Sequence, residues 1–168
     1  MMQPTLQTER LTLRPMVAGD FPAYAAAMAS SRAAGMGGPF DARAAWGMFC
    51  HDIACWHLFG HGALMVETRP AGQTVGQVGL NGGPLFPEPE LGWMLFEGYE
   101  GQGFATEAAG ALRDWAFENR PLETLVSYTD PDNLSSIRVA QRLGAQLDPD
   151  APRQDPSDLV WRHARRMQ

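Results

Sequence analysis

Apolar and polar positions alternate with a period of two from Glu9 to Met16, where Leu11 and Leu13 oppose Arg10, Thr12 and Arg14. That pattern predicts a half-buried strand ended by Pro15. The period then lengthens. Phe21, Tyr24, Ala25 and Met28 recur at helical spacing behind Asp20, a good N-cap, and Pro22, which suits a first turn. Residues 30–39 are rich in Ser, Gly and Ala, end in Gly37-Gly38-Pro39, and read as a mobile loop. Asp41 caps a second helix running to about Trp56. Strands over 62–67 and 74–80 flank the turn Pro70-Ala71-Gly72-Gln73 as a hairpin, and Gly82-Gly83-Pro84 breaks the second strand.

The second half reads as a strand over 90–96, the glycine-rich run Gly98 to Gly103, and a helix. In that helix Ala105, Ala108, Ala109, Leu112 and Ala116 share one face, with Thr106, Glu107, Arg113 and Asp114 outside it. Pro121 closes the helix and 122–128 is a strand, which completes a βαβ unit with a short first loop. Asp132-Asn133 starts another helix with Leu134, Ile137, Ala140 and Leu143 inside, and Gly144 is placed to end it. A Pro/Asp-rich loop over 148–156 leads to a last strand over 158–162. No repeat and no linker divides the chain, so a single domain over 1–168 is expected.

Composition narrows the class. Of 168 residues, 45% are hydrophobic and 19% charged, which fits a globular chain rather than a disordered one. The net charge is −6, all 13 basic residues are Arg, and no basic block exists. That argues against a nucleic-acid partner and favours a cationic substrate. No apolar run approaches the roughly 18 residues needed to cross a bilayer, so no membrane association is expected. The stretch Met1 to Leu6 has neither a basic nor an apolar region of a secretory signal. Cys50 and Cys55 form no disulfide framework, which points to a cytoplasmic location.

The segment with most chemical content is Gly101-Gln102-Gly103-Phe104-Ala105-Thr106-Glu107-Ala108. A glycine-rich turn opening a helix leaves backbone N–H groups bare at the positive end of the helix dipole, which suits a phosphate. An ordinary strand-to-helix connection explains the same glycines. A dinucleotide fingerprint fails because position 106 is Thr, and a P-loop fails because the chain has no Lys. Cys50, His51, Cys55, His57 and His61 match no zinc spacing, and no metal is expected. Their helix reads as part core and part substrate wall, with Trp46, Phe49 and Trp56 as candidates to line a pocket.

Four segments in order carry a resemblance to a known family. They are Thr8-Glu9-Arg10-Leu11-Thr12-Leu13-Arg14-Pro15, Glu90-Leu91-Gly92-Trp93-Met94-Leu95, the glycine-rich segment above, and Asn133-Leu134-Ser135-Ser136-Ile137-Arg138-Val139 with Arg142-Leu143-Gly144-Ala145. Together they resemble the GNAT superfamily of N-acetyltransferases, and more narrowly its ribosomal-protein N-terminal alanine acetyltransferase branch. The likeness covers residues 5 to 165.

The resemblance implies an α+β three-layer fold. Its sheet is mixed and mostly antiparallel, with two splayed central parallel strands and helices on both faces. It implies acetyl-CoA as co-substrate in the wedge between those strands, with the pantetheine arm along the backbone of Met94, Leu95 and Phe96. The pyrophosphate would take the amides of Gly101, Gln102, Gly103, Phe104, Ala105 and Thr106. The family's phosphate loop starts with Gln or Arg where this chain has Glu100, whose side chain is expected to turn to solvent. A frequent catalytic Tyr is Ala140 here. Asn133 and Ser136 match the branch's alternative, with Ser136 as proton donor to the CoA sulfur; an N-cap and a first-turn serine account for the same two residues. Glu90 is the candidate base, beside a water without a unique base.

The implied function is transfer of an acetyl group from acetyl-CoA to a primary amine, by direct attack in a ternary complex. The acceptor is a protein N-terminus or a small amine, selected by residues 18–57 and by the loop before the last strand. The alternative is a non-catalytic acyl-CoA-binding or sensing domain on the same fold. Some relatives dimerise through the C-terminal strands, so a homodimer is a candidate assembly.

Overall fold

A computed structural model of the chain describes residues 3–165. Met1 and Met2, which begin the N-terminal stretch read above, lie outside the described residues. The elements run β1 (Leu6–Gln7), β2 (Leu11–Pro15), α1 (Phe21–Met28), α2 (Ala42–Leu58), β3 (Ala63–Thr68), β4 (Thr74–Asn81), β5 (Glu90–Leu95), α3 (Phe104–Asn119), β6 (Thr124–Thr129), α4 (Leu134–Arg142), β7 (Gln146–Leu147) and β8 (Leu159–Ala164). One sheet carries the strands in the order β1-β2-β3-β4-β5-β6-β8-β7. Its pairings are antiparallel except β5 with β6, which run parallel and register only at Glu90 opposite Val126. This is the mixed, mostly antiparallel sheet with one splayed parallel pair that the family resemblance implies.

Strand alternation divides the core into two layers. Leu11, Leu13, Leu64, Val66, Leu80, Leu91 and Leu125 pack on one face against the alanine stripe of α3, Ala105, Ala108, Ala109 and Ala116. Small residues there let the helix lie close on the sheet. Met65, Met94 and Phe96 point to the opposite face and meet Tyr24, Met28, Ala45 and Phe49 from α1 and α2. No helix among the described residues is long and apolar enough to cross a membrane.

Local departures have physical causes. Asp20 does not cap α1 with its side chain. Its carboxylate instead accepts from Arg14 Nη1 and Nη2 at 2.8 and 2.7 Å and from Val17 N–H at 2.8 Å. Burial raises that carboxyl, but the Arg14 and Val17 bonds outweigh burial and hold it below the usual range. Residues 30–39 contain a 3-10 segment, Ser31–Met36, with Ala33 fully buried. Leu134, expected inside, is exposed. Asp41 caps α2 as expected, accepting from Ala44 N–H at 2.8 Å, and Gly144 ends α4 at φ 79°.

Candidate acetyl-transfer site

The wedge between β5 and β6 is closed at its base and open beyond. Val126 N–H donates to Pro89 C=O at 3.0 Å, and Ser127 Oγ donates to Leu91 C=O at 2.6 Å. Phe96 N–H is spent on Val75 of β4, so alternation turns the backbone of Trp93 and Leu95 toward the gap. Met94 and Phe96 are buried against α1 and α2, and Leu95 C=O accepts from Arg32 Nε at 2.8 Å. Beside that contact the edge still offers the Trp93 backbone and Leu95 N–H, with which an extended amide-bearing arm can pair.

Beyond β5 the chain turns through Gly98, Gly101 and Gly103, at φ 90°, 76° and 82°. Left-handed backbone favours glycine at these positions. A Cβ at Gly98 or Gly101 would meet nothing within 4 Å, so the loop is open to an approaching group. Gly103 precedes α3 without a capping side chain, and the first intrahelical bond is Glu107 N–H to Gly103 C=O at 3.1 Å. The amides of Phe104, Ala105 and Thr106 therefore have no intrahelical partner. Thr106 Oγ1 is buried with no hydrogen-bond partner. Bare amides, an orphaned hydroxyl and a helix dipole fit the phosphates of acetyl-CoA.

Two arginines hold this loop. Arg10 donates from Nη1 to Gln102 C=O at 2.8 Å, pairs with Glu107 at 2.7 Å, and lies 4.9 Å from the centre of the Phe104 ring. Thr8 Oγ1 and Arg10 N–H also donate to Glu107, at 2.6 and 2.9 Å. The Thr8-Glu9-Arg10 segment thus ties β2 to the start of α3. On the other side, Glu100 does not turn freely to solvent. Its Oε2 accepts from Gly98 N–H at 2.8 Å and its Oε1 pairs with Arg32 Nη1.

Glu90 begins β5 on the face covered by α1 and α2. Its Oε2 accepts from Asn81 Nδ2 at 2.8 Å. Burial pushes its carboxyl up to about 7; the Asn81 bond opposes this, and the Asp158 and Asp52 charges add to it. Asp52, on α2, accepts from Gln77 Nε2 at 2.7 Å and Tyr24 OH at 3.2 Å, and burial pushes it up to about 6. Gln77 and Asn81, which hold the two acids, share one face of β4 with Gly79 between them. Gly79 registers with Gly92 of β5. A Cβ at Gly92 would meet only Asn81 Nδ2 at 3.8 Å and Glu90 Oε1 at 3.9 Å. Two acids beside a side-chain-free patch can hold a cation and accept a proton. Tyr128 Oη, on β6, is buried without a partner, and burial with the Glu90 charge raises its pKa.

Asn133 Oδ1 accepts from Ser136 N–H at 3.1 Å and Ser135 Oγ at 2.9 Å, so Asn133 caps α4 and Ser136 lies half-buried in its first turn. Ala140 is fully buried and shares a cluster with Trp161, whose Nε1 donates to Thr129 Oγ1 at 3.0 Å. A Cβ at Gly35 would lie 3.6 Å from Asn133 Nδ2, so the 3-10 segment reaches the α4 side of the wedge.

The aromatic acceptor wall is not assembled as expected. Trp56 is core: its Nε1 donates to Ala63 C=O at 2.9 Å and its ring lies edge-on to Trp115 at 5.5 Å. Phe49 is buried against Tyr24. Trp46 is 48% exposed and leans on Phe21 at 4.9 Å. His51 Nε2 sits 3.4 Å from Cys55 Sγ, and no group of three or more His, Cys, Asp or Glu among the described residues could hold a metal ion. Asp52, Gln77, Asn81, Tyr128 and Arg32 were not singled out from sequence. Asp52 had left a trace, because it falls on the same helical face as Ala45, Phe49 and Trp56, an acid on an apolar stripe.

Residues 10–146 match the family model for the acetyltransferase (GNAT) domain, and the chain belongs to that family. A crystal structure of an acetyltransferase from Agrobacterium tumefaciens is 60% identical, covers 98% of this chain and 96% of its own, and superposes with a TM-score of 0.95. The ribosomal L7/L12 α-N-protein acetyltransferase RimL, solved with coenzyme A, shares the fold at TM-score 0.77 and 16% identity, covering 96% of this chain and 98% of its own. The uncharacterized protein YkkB of Bacillus subtilis is 32% identical over 88 residues, 51% of this chain; the match spans about half the length of that curated relative, 51%.

Proposed function

We propose that the chain is an acetyl-CoA-dependent N-acetyltransferase acting on a primary amine, either a protein N-terminus or a small amine, by direct attack in a ternary complex. One observation carries this reading: β5 begins with the Glu90 carboxyl, held by Asn81 at 2.8 Å, and leads into an open glycine-rich turn whose amides head α3. Bound acetyl-CoA supplies the activated thioester. The amides from Gly101 to Thr106 hold its phosphates, and the β5 edge at Trp93 and Leu95 orients its arm, in place of Met94 and Phe96, whose backbone faces β4. Glu90 takes the proton an alkylammonium must lose before it can attack, and a group titrating near the working pH suits that task. A strand N–H in the wedge steadies charge developing on oxygen. Ser136 is the candidate donor to the departing sulfur. Asp52 adds negative charge opposite Glu90, which favours a cationic acceptor. The same reading puts the enzyme in the cytoplasm, assigns no role to a metal, nucleic acid or membrane, and keeps a homodimer as a candidate assembly.

Thermal unfolding with acetyl-CoA tests the reading. Ligand that binds only the folded chain stabilises it by about 2.7 kcal/mol at one hundred times Kd. Millimolar acetyl-CoA is expected to raise Tm, and Gly103→Glu to abolish the rise by adding bulk and negative charge where the phosphate approaches. No shift in the wild type overturns the reading.

A further inference from the structure

Arg32 lies in the 3-10 segment between α1 and α2, far in sequence from the anion loop, yet its guanidinium ends beside it. Nε donates to Leu95 C=O at 2.8 Å and Nη1 pairs with Glu100 Oε1. Its side chain is 26% exposed. The backbone behind it is fixed. Ser30 Oγ accepts from Arg32 N–H at 3.2 Å and donates to Ala27 C=O at 2.7 Å. Gly38 N–H donates to Ala33 C=O at 2.9 Å, and Phe40 N–H to Met28 C=O at 2.8 Å.

Glu100 makes this placement chemically necessary. A carboxylate inside a loop that gathers N–H groups for an anion repels that anion, and this one also occupies Gly98 N–H. Arg32 cancels that charge. A guanidinium carries five N–H donors in a planar fork. Two contacts leave Nη2 for a further acceptor, at the open edge of β5 where the loop begins. An exposed ion pair that only tethered the segment would add little to stability.

We propose that Arg32 is a binding residue for the phosphate groups of acetyl-CoA, aimed at them by Glu100 and Leu95. The proposal rests on the acetyl-CoA reading above and adds to the loop a cation from a distant part of the chain. Its contact with Leu95 C=O fixes the guanidinium where β5 gives way to the loop.

Calorimetric titration of acetyl-CoA and of S-acetylpantetheine, which lacks the pyrophosphate and adenosine, separates phosphate binding from mere support of the segment. Arg32→Gln is expected to weaken acetyl-CoA about 10- to 100-fold, as loss of a charged hydrogen bond does, with S-acetylpantetheine affinity held. Unchanged acetyl-CoA affinity in Arg32→Gln, or an equal loss for both probes, overturns the proposal. If Arg32→Gln melts early, Arg32→Lys carries the test: a loss confined to acetyl-CoA supports the proposal and an equal loss for both probes overturns it. Failure of the wild type to bind acetyl-CoA at all would instead remove the reading on which the proposal rests.

Discussion

Glu90→Gln keeps the shape of the side chain and removes its charge. Burial, the largest cause, lifts this carboxyl from its ordinary 4.5 to about 7. The folded value lies above the unfolded one, so the folded chain holds the proton more tightly. The stability this group contributes is full below pH 4.5 and is lost as pH rises through 7. At about 1.36 kcal/mol per pH unit, the cost of keeping it charged reaches an upper bound of about 3 kcal/mol above pH 7. Gln carries no such cost. The variant should therefore gain nothing at pH 4 and up to about 3 kcal/mol at pH 8, less whatever the Asn81 bond loses. For a chain of this size that is roughly 6–12 °C in Tm. Its kcat/KM should fall about 10²- to 10⁴-fold, the usual worth of a general base. The wild-type rate should rise with pH to a plateau above 7, and the variant should lack that limb. Scanning calorimetry at both pH values and a pH–rate profile read all of this. A rate within about twofold of wild type with the limb intact would remove Glu90 as the base. Absence of the Tm gain at pH 8 would contradict its burial as a charged group.

Asp52→Asn should move the acidic limb of the pH–rate profile downward, because the Asp52 charge raises Glu90; it should also raise KM for a cationic amine, and an unmoved limb would mean the acids act independently. Ser136→Ala should lower kcat about 10²- to 10⁴-fold with acetyl-CoA affinity unchanged, whereas a kcat within about twofold assigns Ser136 to the first turn of α4 alone. Trp46→Ala should cost about 1–2 kcal/mol of stability through its lost contact with Phe21 and leave KM for the amine unchanged, and a raised KM at constant Tm would return Trp46 to the acceptor wall.

Elements with a strong period and local punctuation were legible. The alanine stripe of α3, the Asp41 cap and the Gly144 stop all follow from residues close together in sequence. The glycines after β5 marked a turn into α3 for the same reason. Strands of two residues, such as β1 and β7, carry no period and were invisible. Asp20 has the right type and place for a cap, but a guanidinium six residues away competes better for its carboxylate than a helix amide. Arg113, read as outside the buried face of α3, is buried and donates from Nη1 to Leu143 C=O at 2.6 Å. The candidate site split the same way. Glu90, Asn133 and the loop sit in motifs. Asp52 and Arg32 join the site only through tertiary contacts, Arg32 meeting Glu100 across 68 positions of sequence. No window along the chain contains that pairing.

Everything proposed for these residues depends on acetyl transfer to an amine taking place in the wedge between β5 and β6. Release of free CoA thiol from acetyl-CoA, measured against a panel of small cationic amines and N-terminal peptides, tests it most directly. Amine-dependent CoA release that rises with pH through about 7 and is lost in Glu90→Gln is the expected result. Acetyl-CoA binding with no amine-dependent release across the panel would contradict it and leave an acyl-CoA-binding domain.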